Sequence, residues 1–269
     1  MTLYAEAPKT LSIADIGALK RAGEKISCLT AYDASFSALL DRCGVEMLMV
    51  GDSLGMVVQG QVSTVPVTVD DMVYHTRCVT RARKRAFVIA DMPFASYADP
   101  QQALRTATRL MQEGQAQMVK LEGAKPEIIA FLAAQGIPVC GHLGLLPQSV
   151  NLIGGYKLQG RDAGQAQQIL ADAVAIEQAG AGMLVLECVP ALLAAEISRQ
   201  LTIPVIGIGA GGDCDGQVLV LYDMLNISVG KRPRFSKDFL SGAADIEDAV
   251  RGFIQAVKSG QFPSLEQSY

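Results

Sequence analysis

Several classes of function are removed by what this chain of 269 residues lacks. Positive charge is not in excess: 23 lysines and arginines stand against 27 acids, a net charge of −4. Binding nucleic acid requires a cationic surface that displaces counterions, so no nucleic-acid partner is expected. The one basic run, Arg81 to Arg85 (RARKR), is short and falls between an expected helix and an expected strand. A solvated loop is its simpler role. No apolar run approaches the roughly twenty residues that span a bilayer. The opening MTLYAEAPKTLS also lacks the long apolar core of a signal peptide. No membrane partner is expected. Six cysteines are scattered without a CxxC pair, and Cys140 and Cys188 lie in or beside apolar strands, where cysteine acts as a small hydrophobe. Free thiols in a reducing compartment follow, and with them a soluble, cytoplasmic protein. There are only two histidines, no Pro/Ser-rich linker and no repeat of solenoid length.

What the chain does have is a recurring phrase. Met47-Leu48-Met49-Val50 runs into Gly51-Asp52-Ser53, four apolar residues closed by a glycine, an acid and a hydroxyl. A run this short reads as a buried strand. The pattern returns in Phe87–Asp91, Met118–Glu122, Ile137–His142 and Met183–Glu187, each ending in a group that can hold a cation, move a proton or grip an anion. Half the residues are hydrophobic, enough for a sizeable core.

In chain order, residues 1–10 read as a loose tail and 12–22 as an amphipathic helix that could close the bottom of a barrel. Strands are expected at 26–30, 47–50, 87–91, 118–122, 137–142, 183–187 and 203–208, with a faint eighth at 226–229. Helices are expected at 35–43, from 68 or 70 to 81, 99–114, 126–135, 165–179, 190–201, 217–225 and 246–258. Two long loops, 54–66 and 143–164, interrupt the alternation, and loops of such length inside compact domains usually serve function. Eight strand–helix units without a composition break predict a (β/α)8 TIM barrel with an N-terminal capping helix, one domain over residues 1–269. An open doubly wound sheet is the alternative; in either, ligands meet the carboxyl ends of the strands.

Strand alternation puts Lys120 and Glu122 on one face. Two such groups in a barrel mouth cost too much desolvation to be mere packing. They are either an ion pair satisfying itself, or Lys120 serves an anionic substrate and Glu122 a cation. Asp52, Asp91 and Glu122 end three neighbouring strands and would repel one another unless a cation neutralised them. A hard divalent ion answers this, with Mg2+ the natural candidate. Zinc suits less well, because only His142 lies at a strand end. Each acid taken alone could instead cap a helix or bond loop amides. His142 could bond a substrate carboxylate or be a satisfied structural histidine, whereas His75 falls inside a helix and reads as packing. Glu187, away from the acid trio, suits a general acid or base. Ser53 could contact substrate or cap a turn. Gly207 to Gly212 spells GxGxxG, but it comes late and lacks the acid of a dinucleotide site. Backbone crowding or an anion contact explains it better.

The blocks TAYD (30–33), VGDSLGMVVQG (50–60), ADMPF (90–94), VKLEG (119–123), VCGHLGLLPQSVN (139–151), GGYKLQGR (154–161), LECVP (186–190) and IPVIGIGAG (203–211) resemble the ketopantoate hydroxymethyltransferase family over nearly the whole chain. That resemblance implies a (β/α)8 barrel that uses Mg2+ to transfer a one-carbon unit from 5,10-methylenetetrahydrofolate to 2-oxoisovalerate, in pantothenate and coenzyme A biosynthesis. It implies a metal-stabilised enolate that attacks the folate-borne methylene carbon, followed by hydrolytic release of ketopantoate. It also implies that Asp52 and Asp91 bind the metal, with Glu122 a further, partly water-mediated ligand. Asp52, Ser53, Asp91, Lys120 and His142 would contact the oxoacid, and Glu187 would transfer a proton. A homo-oligomer, a decamer of stacked rings, is implied as well. The rival expectations are a related oxoacid lyase or phosphonomutase, a dinucleotide-linked oxidoreductase, and a barrel that binds without catalysis.

Overall fold

Eight short parallel strands hydrogen-bond in chain order, and the last returns to the first. They are β1 Ile26–Thr30, β2 Met47–Val50, β3 Phe87–Asp91, β4 Met118–Glu122, β5 Val139–Gly144, β6 Met183–Glu187, β7 Val205–Ile208 and β8 Gly216–Leu219. The computed structural model, which describes residues 10–155, 157–228 and 232–269, is therefore a closed (β/α)8 barrel. Alternation along the strands sorts the side chains into two layers. Met47, Met49, Phe87, Ile89, Met118, Cys140, Met183 and Val185 fill the barrel interior. Their neighbours Leu48, Val50, Val88, Ala90, Val119, Leu121, Leu184 and Leu186 face the surrounding helices. Each such fully buried apolar side chain is worth roughly 1.5–3 kcal/mol relative to exposure.

The helix Ile13–Arg21 seals the bottom, as expected. Ser12 and Asp15 form a reciprocal capping box at its start, and Ile16 is wholly buried against the interior cluster, flanked by Ile13 and Leu19. The expected tail at 1–10 lies almost wholly outside the described residues. The crossover helices Ala34–Cys43, Val69–Ala82, Pro100–Gln112, Pro126–Ala134, Ala163–Gln178 and Ala191–Gln200 begin and end within two residues of expectation. Side-chain caps explain most of the starts: Asp33, Thr68, Asp99 and Asp162 each accept from a backbone amide of the first turn. Among the described residues no helix is long and apolar enough to cross a membrane.

Three expectations need correction. The stretch from Leu54 is not all loop, since Leu54–Val57 makes one helical turn. The second long loop likewise holds a 3-10 turn, Pro147–Ser149, and a short helix, Val150–Ile153; Tyr156 in it lies outside the described residues. The eighth strand is misplaced by about ten residues. Gly216–Leu219 is β8, although a helix is expected from Gln217, with Cys28 opposite Val218 and Leu29 opposite Leu219. The expected strand 226–229 is a turn at Asn226, and Val229 lies outside the described residues. The cause is a missing crossover helix: seven residues, 209–215, carry the chain from β7 straight back to β8. Gly216 permits this close seam, since a Cβ there would sit 2.4 Å from the Ile26 carbonyl oxygen. Asp215 pins the return, accepting from Val205 N at 2.8 Å and, by its carbonyl, from Ile26 N at 2.9 Å.

Candidate active site

The inward register that fills the lower barrel with apolar groups continues to the strand ends, and there it becomes polar. Asp91, Lys120, Glu122, His142 and Glu187 each follow an inward residue by two or four positions. Together with Asp52 and Ser53 on the turn after β2, they line one cavity of about 900 Å3 at the carboxyl end of the barrel. All seven residues singled out in the sequence thus share one chamber. A side chain at Gly51 would crowd the site, since a Cβ there would lie 2.8 Å from Ser53 Oγ and 3.5 Å from Asp91 Oδ2.

Lys120 stands opposite Asp91 in the register of β3 and β4, and their charges meet at 3.2 Å (Nζ to Oδ2). Its partner is therefore Asp91, not Glu122, and the self-satisfying Lys120–Glu122 pair does not form. The same Asp91 oxygen accepts from Asp52 N at 3.1 Å. Lys120 Nζ also lies 3.3 Å from His142 Nδ1. An ammonium offers only donors, so Nδ1 accepts and the imidazole proton sits on Nε2. That nitrogen is 3.3 Å from Glu187 Oε2, close enough to feel its charge, yet the alignment is too poor for a hydrogen bond. Burial, reinforced by the Lys120 charge, pushes the His142 basicity well down, so the ring is neutral.

Charge is unbalanced here. At the strand ends four carboxylates, Asp52, Asp91, Glu122 and Glu187, crowd around one buried ammonium, that of Lys120. Burial, then the neighbouring Asp91, raises Asp52 to about 7. Burial also raises Glu187 to about 7 and holds Glu122 well above the ordinary carboxylate range. Burial would lower Lys120, but Asp91, Glu122 and Asp52 outweigh it and keep the ammonium charged. Asp91 Oδ1 and Glu122 Oε1 are buried with no hydrogen-bond partner. Such half-satisfied acids fit a hard cation, which would supply both the missing charge and the missing contacts. Among the described residues no three His, Cys, Asp or Glu side chains already form a metal cage. An ion here would take one or two carboxylates directly and complete its shell with water and ligand oxygens.

Three contributors escaped the sequence reading. Gln148, in the turn after β5, bridges two of the acids: its Nε2 donates to Asp52 Oδ2 at 2.8 Å and its backbone N to Glu122 Oε2 at 3.1 Å. Tyr97 donates to Gln148 Oε1 at 2.5 Å. The Tyr32 hydroxyl lies 2.9 Å from Ser53 Oγ, and its carbonyl oxygen lies 2.7 Å from His75 Nδ1, which places His75 as packing. Only their place in or beside sequence blocks after strand ends could have signalled them. The GxGxxG turn, by contrast, has no helix behind it to hold a pyrophosphate; it leads directly into β8.

A sequence profile described as ketopantoate hydroxymethyltransferase matches residues 10–265. A relative from Nitrosococcus oceani, named 3-methyl-2-oxobutanoate hydroxymethyltransferase, is 59% identical, the match covering 96% of this chain and 99% of the relative. One of the same name from Burkholderia mallei is 53% identical over the full length of both chains. Among solved structures, the barrel is similar to phosphoenolpyruvate phosphomutase from Streptomyces platensis subsp. rosaceus (TM-score 0.60, 14% identity, 80% of this chain and 83% of that one). It is also similar to phosphonopyruvate hydrolase, solved in complex with oxalate and Mg2+ (TM-score 0.60, 10% identity, 78% and 81%). At those identities the likeness is one of fold.

Proposed function

The chain belongs to the ketopantoate hydroxymethyltransferase family, and from that premise we propose that it transfers a one-carbon unit from 5,10-methylenetetrahydrofolate to 2-oxoisovalerate (3-methyl-2-oxobutanoate). Ketopantoate and tetrahydrofolate are the products, water supplies the new hydroxyl oxygen, and the step serves pantothenate synthesis in the cytoplasm. A homo-oligomer, decameric by family likeness, is part of the same reading. The observation that carries it is the buried, half-satisfied acid set beside Lys120 and His142.

Asp52 and Asp91 would hold Mg2+, with Glu122 reaching it in part through water. When bound, Mg2+ would polarise the oxoacid carbonyl as a Lewis acid and acidify the neighbouring C–H. The chain's own groups do the remainder. Lys120, kept charged by the acids around it, binds the oxoacid carboxylate. His142 presents Nε2–H to the same substrate, and Ser53, oriented by Tyr32, adds a hydroxyl contact. Holding the reacting carbon in one pose is worth several kcal/mol of the barrier. Glu187, raised to about 7 by burial, exchanges a proton with the substrate or with the folate nitrogen near neutral pH.

The folate donor is supported by the shape of the chamber. Its volume of about 900 Å3 far exceeds a small branched oxoacid, and its wall includes Lys157, Arg232, Arg234, Phe235 and Tyr269. Cationic and aromatic groups together suit an anionic ligand with flat rings. The guanidinium of Arg234 already lies 5.1 Å over the Tyr269 ring. The test is direct: incubate the protein with Mg2+, 2-oxoisovalerate and methylenetetrahydrofolate and detect ketopantoate by mass spectrometry. Ketopantoate that requires all three additions is the expected result. Oxoacid cleavage without folate would replace this reading with a lyase.

A further inference from the structure

Every polar atom of the Gln148 side chain is committed. Nε2 donates to Asp52 Oδ2 at 2.8 Å and to the Met92 carbonyl oxygen at 2.9 Å, and Oε1 accepts from the Tyr97 hydroxyl at 2.5 Å. The backbone N of Gln148 donates to Glu122 Oε2 at 3.1 Å, while Glu122 N donates to the Tyr97 hydroxyl oxygen at 3.2 Å. An amide can present either end to a neighbour, but here the choice is made. The Met92 carbonyl only accepts, so the NH2 faces it and Asp52. The Tyr97 oxygen is already accepting from Glu122, so its own proton goes to Oε1.

The result is one oxygen tied on each of two acids. Glu122 keeps Oε1 without a hydrogen-bond partner. Glu122 borders both the main chamber and a second cavity of about 210 Å3, whereas Tyr97 and Gln148 border only the smaller one. Two unneutralised acids this near would otherwise turn away from each other. We propose that Gln148, oriented by Tyr97, is a positioning residue: it occupies one oxygen each of Asp52 and Glu122 and so leaves the other oxygens for a cation. The proposal rests on the function read above. Partners behind metal ligands commonly change affinity about 10- to 100-fold when removed.

Titrating the substrate-free protein with Mg2+ in a calorimeter tests this without turnover. Gln148→Met retains the bulk and the backbone N–H but removes the amide contacts. Tyr97→Phe removes only the hydroxyl that orients the amide. Mg2+ affinity should fall about 10- to 100-fold in Gln148→Met and by a smaller factor in Tyr97→Phe. In turnover, kcat should fall more than KM for the oxoacid rises, because Lys120 and His142 stay in place. A merely structural amide would lower the thermal midpoint and leave Mg2+ affinity within about twofold of the parent. That result in Gln148→Met, or in Tyr97→Phe should the first variant not fold, overturns the proposal. A parent protein that takes up no Mg2+ overturns the cation reading itself, and the positioning role with it.

Discussion

The two ends of the barrel treat buried charge in opposite ways. At the bottom two largely buried ion pairs are well matched. Lys20 meets Asp215 at 2.8 Å and donates to the Ser198 and Ile203 carbonyl oxygens at 2.9 and 2.8 Å. Glu46 is bound by Ser27 through its amide and hydroxyl, and by Lys258 at 2.8 Å. At the strand ends four acids surround one buried lysine, Lys120, and two carboxylate oxygens have no hydrogen-bond partner. A fold selected only for stability would not leave such groups uncompensated. The paired charges at the bottom serve the scaffold, whereas the unpaired carboxylate oxygens at the mouth are open to a further partner.

That contrast can be broken by experiment. The largest effect belongs to Glu187: Glu187→Gln should slow turnover by on the order of 10²–10⁴ while oxoacid affinity, measured separately, changes little. Turnover near the parent rate would take Glu187 out of the chemistry. At the other end, Asp215→Ala should cost about 3 kcal/mol in urea denaturation, because it strips a mostly buried lysine of its acid. The kcat of the folded variant should not move. Asp52→Asn should do the reverse. It should abolish Mg2+-dependent exchange of the substrate's C–H in deuterated water and leave the metal-free thermal midpoint unchanged or higher. A midpoint lowered by several degrees would mean that the mouth acids hold the fold together.

Proton linkage sharpens the same point. Asp52 and Glu187 are raised from ordinary carboxylate values to about 7 by burial. The folded state therefore binds more protons than the unfolded chain between about pH 4 and pH 7, and their contribution to stability is lost as pH rises through 7. Metal-free protein should melt lower at pH 8 than at pH 5, and Mg2+ should narrow the gap. A midpoint that rises over this range would contradict the excess of buried acid. The smallest effect is at the floor helix. Ser12→Ala removes the capping box, should cost about 1 kcal/mol, and should leave kcat untouched.

The legibility of the sequence follows from the same geometry. β2 to β6 could be read because each is a short apolar run with a polar end, and alternation alone aims Asp91, Lys120, Glu122, His142 and Glu187 inward. β8 could not, because strand–helix alternation places a helix between every pair of strands, and Gly216-Gln217-Val218-Leu219 follows β7 without one. Gln148, Tyr97 and Tyr32 were invisible for a different reason. They lie off the strands, where side-chain direction has no fixed period, so their contacts exist only after the loops have settled on the barrel. The unpaired state of Glu122 Oε1 was equally beyond reach, since it depends on where Gln148 stands.

The seam between β1 and β8 has a consequence for how the molecule is made. Ile26 pairs with Gly216, so about 190 residues of chain must emerge before the first strand finds its second neighbour. At bacterial and eukaryotic synthesis speeds that is a wait on the order of 10–40 s. Throughout it, one edge of β1 is open, with an apolar face against which the helix Ile246–Lys258 later packs. The nascent chain thus carries a sticky, unpaired edge until Gly216–Leu219 has emerged, and the chamber, which needs all eight strands, can close only after that.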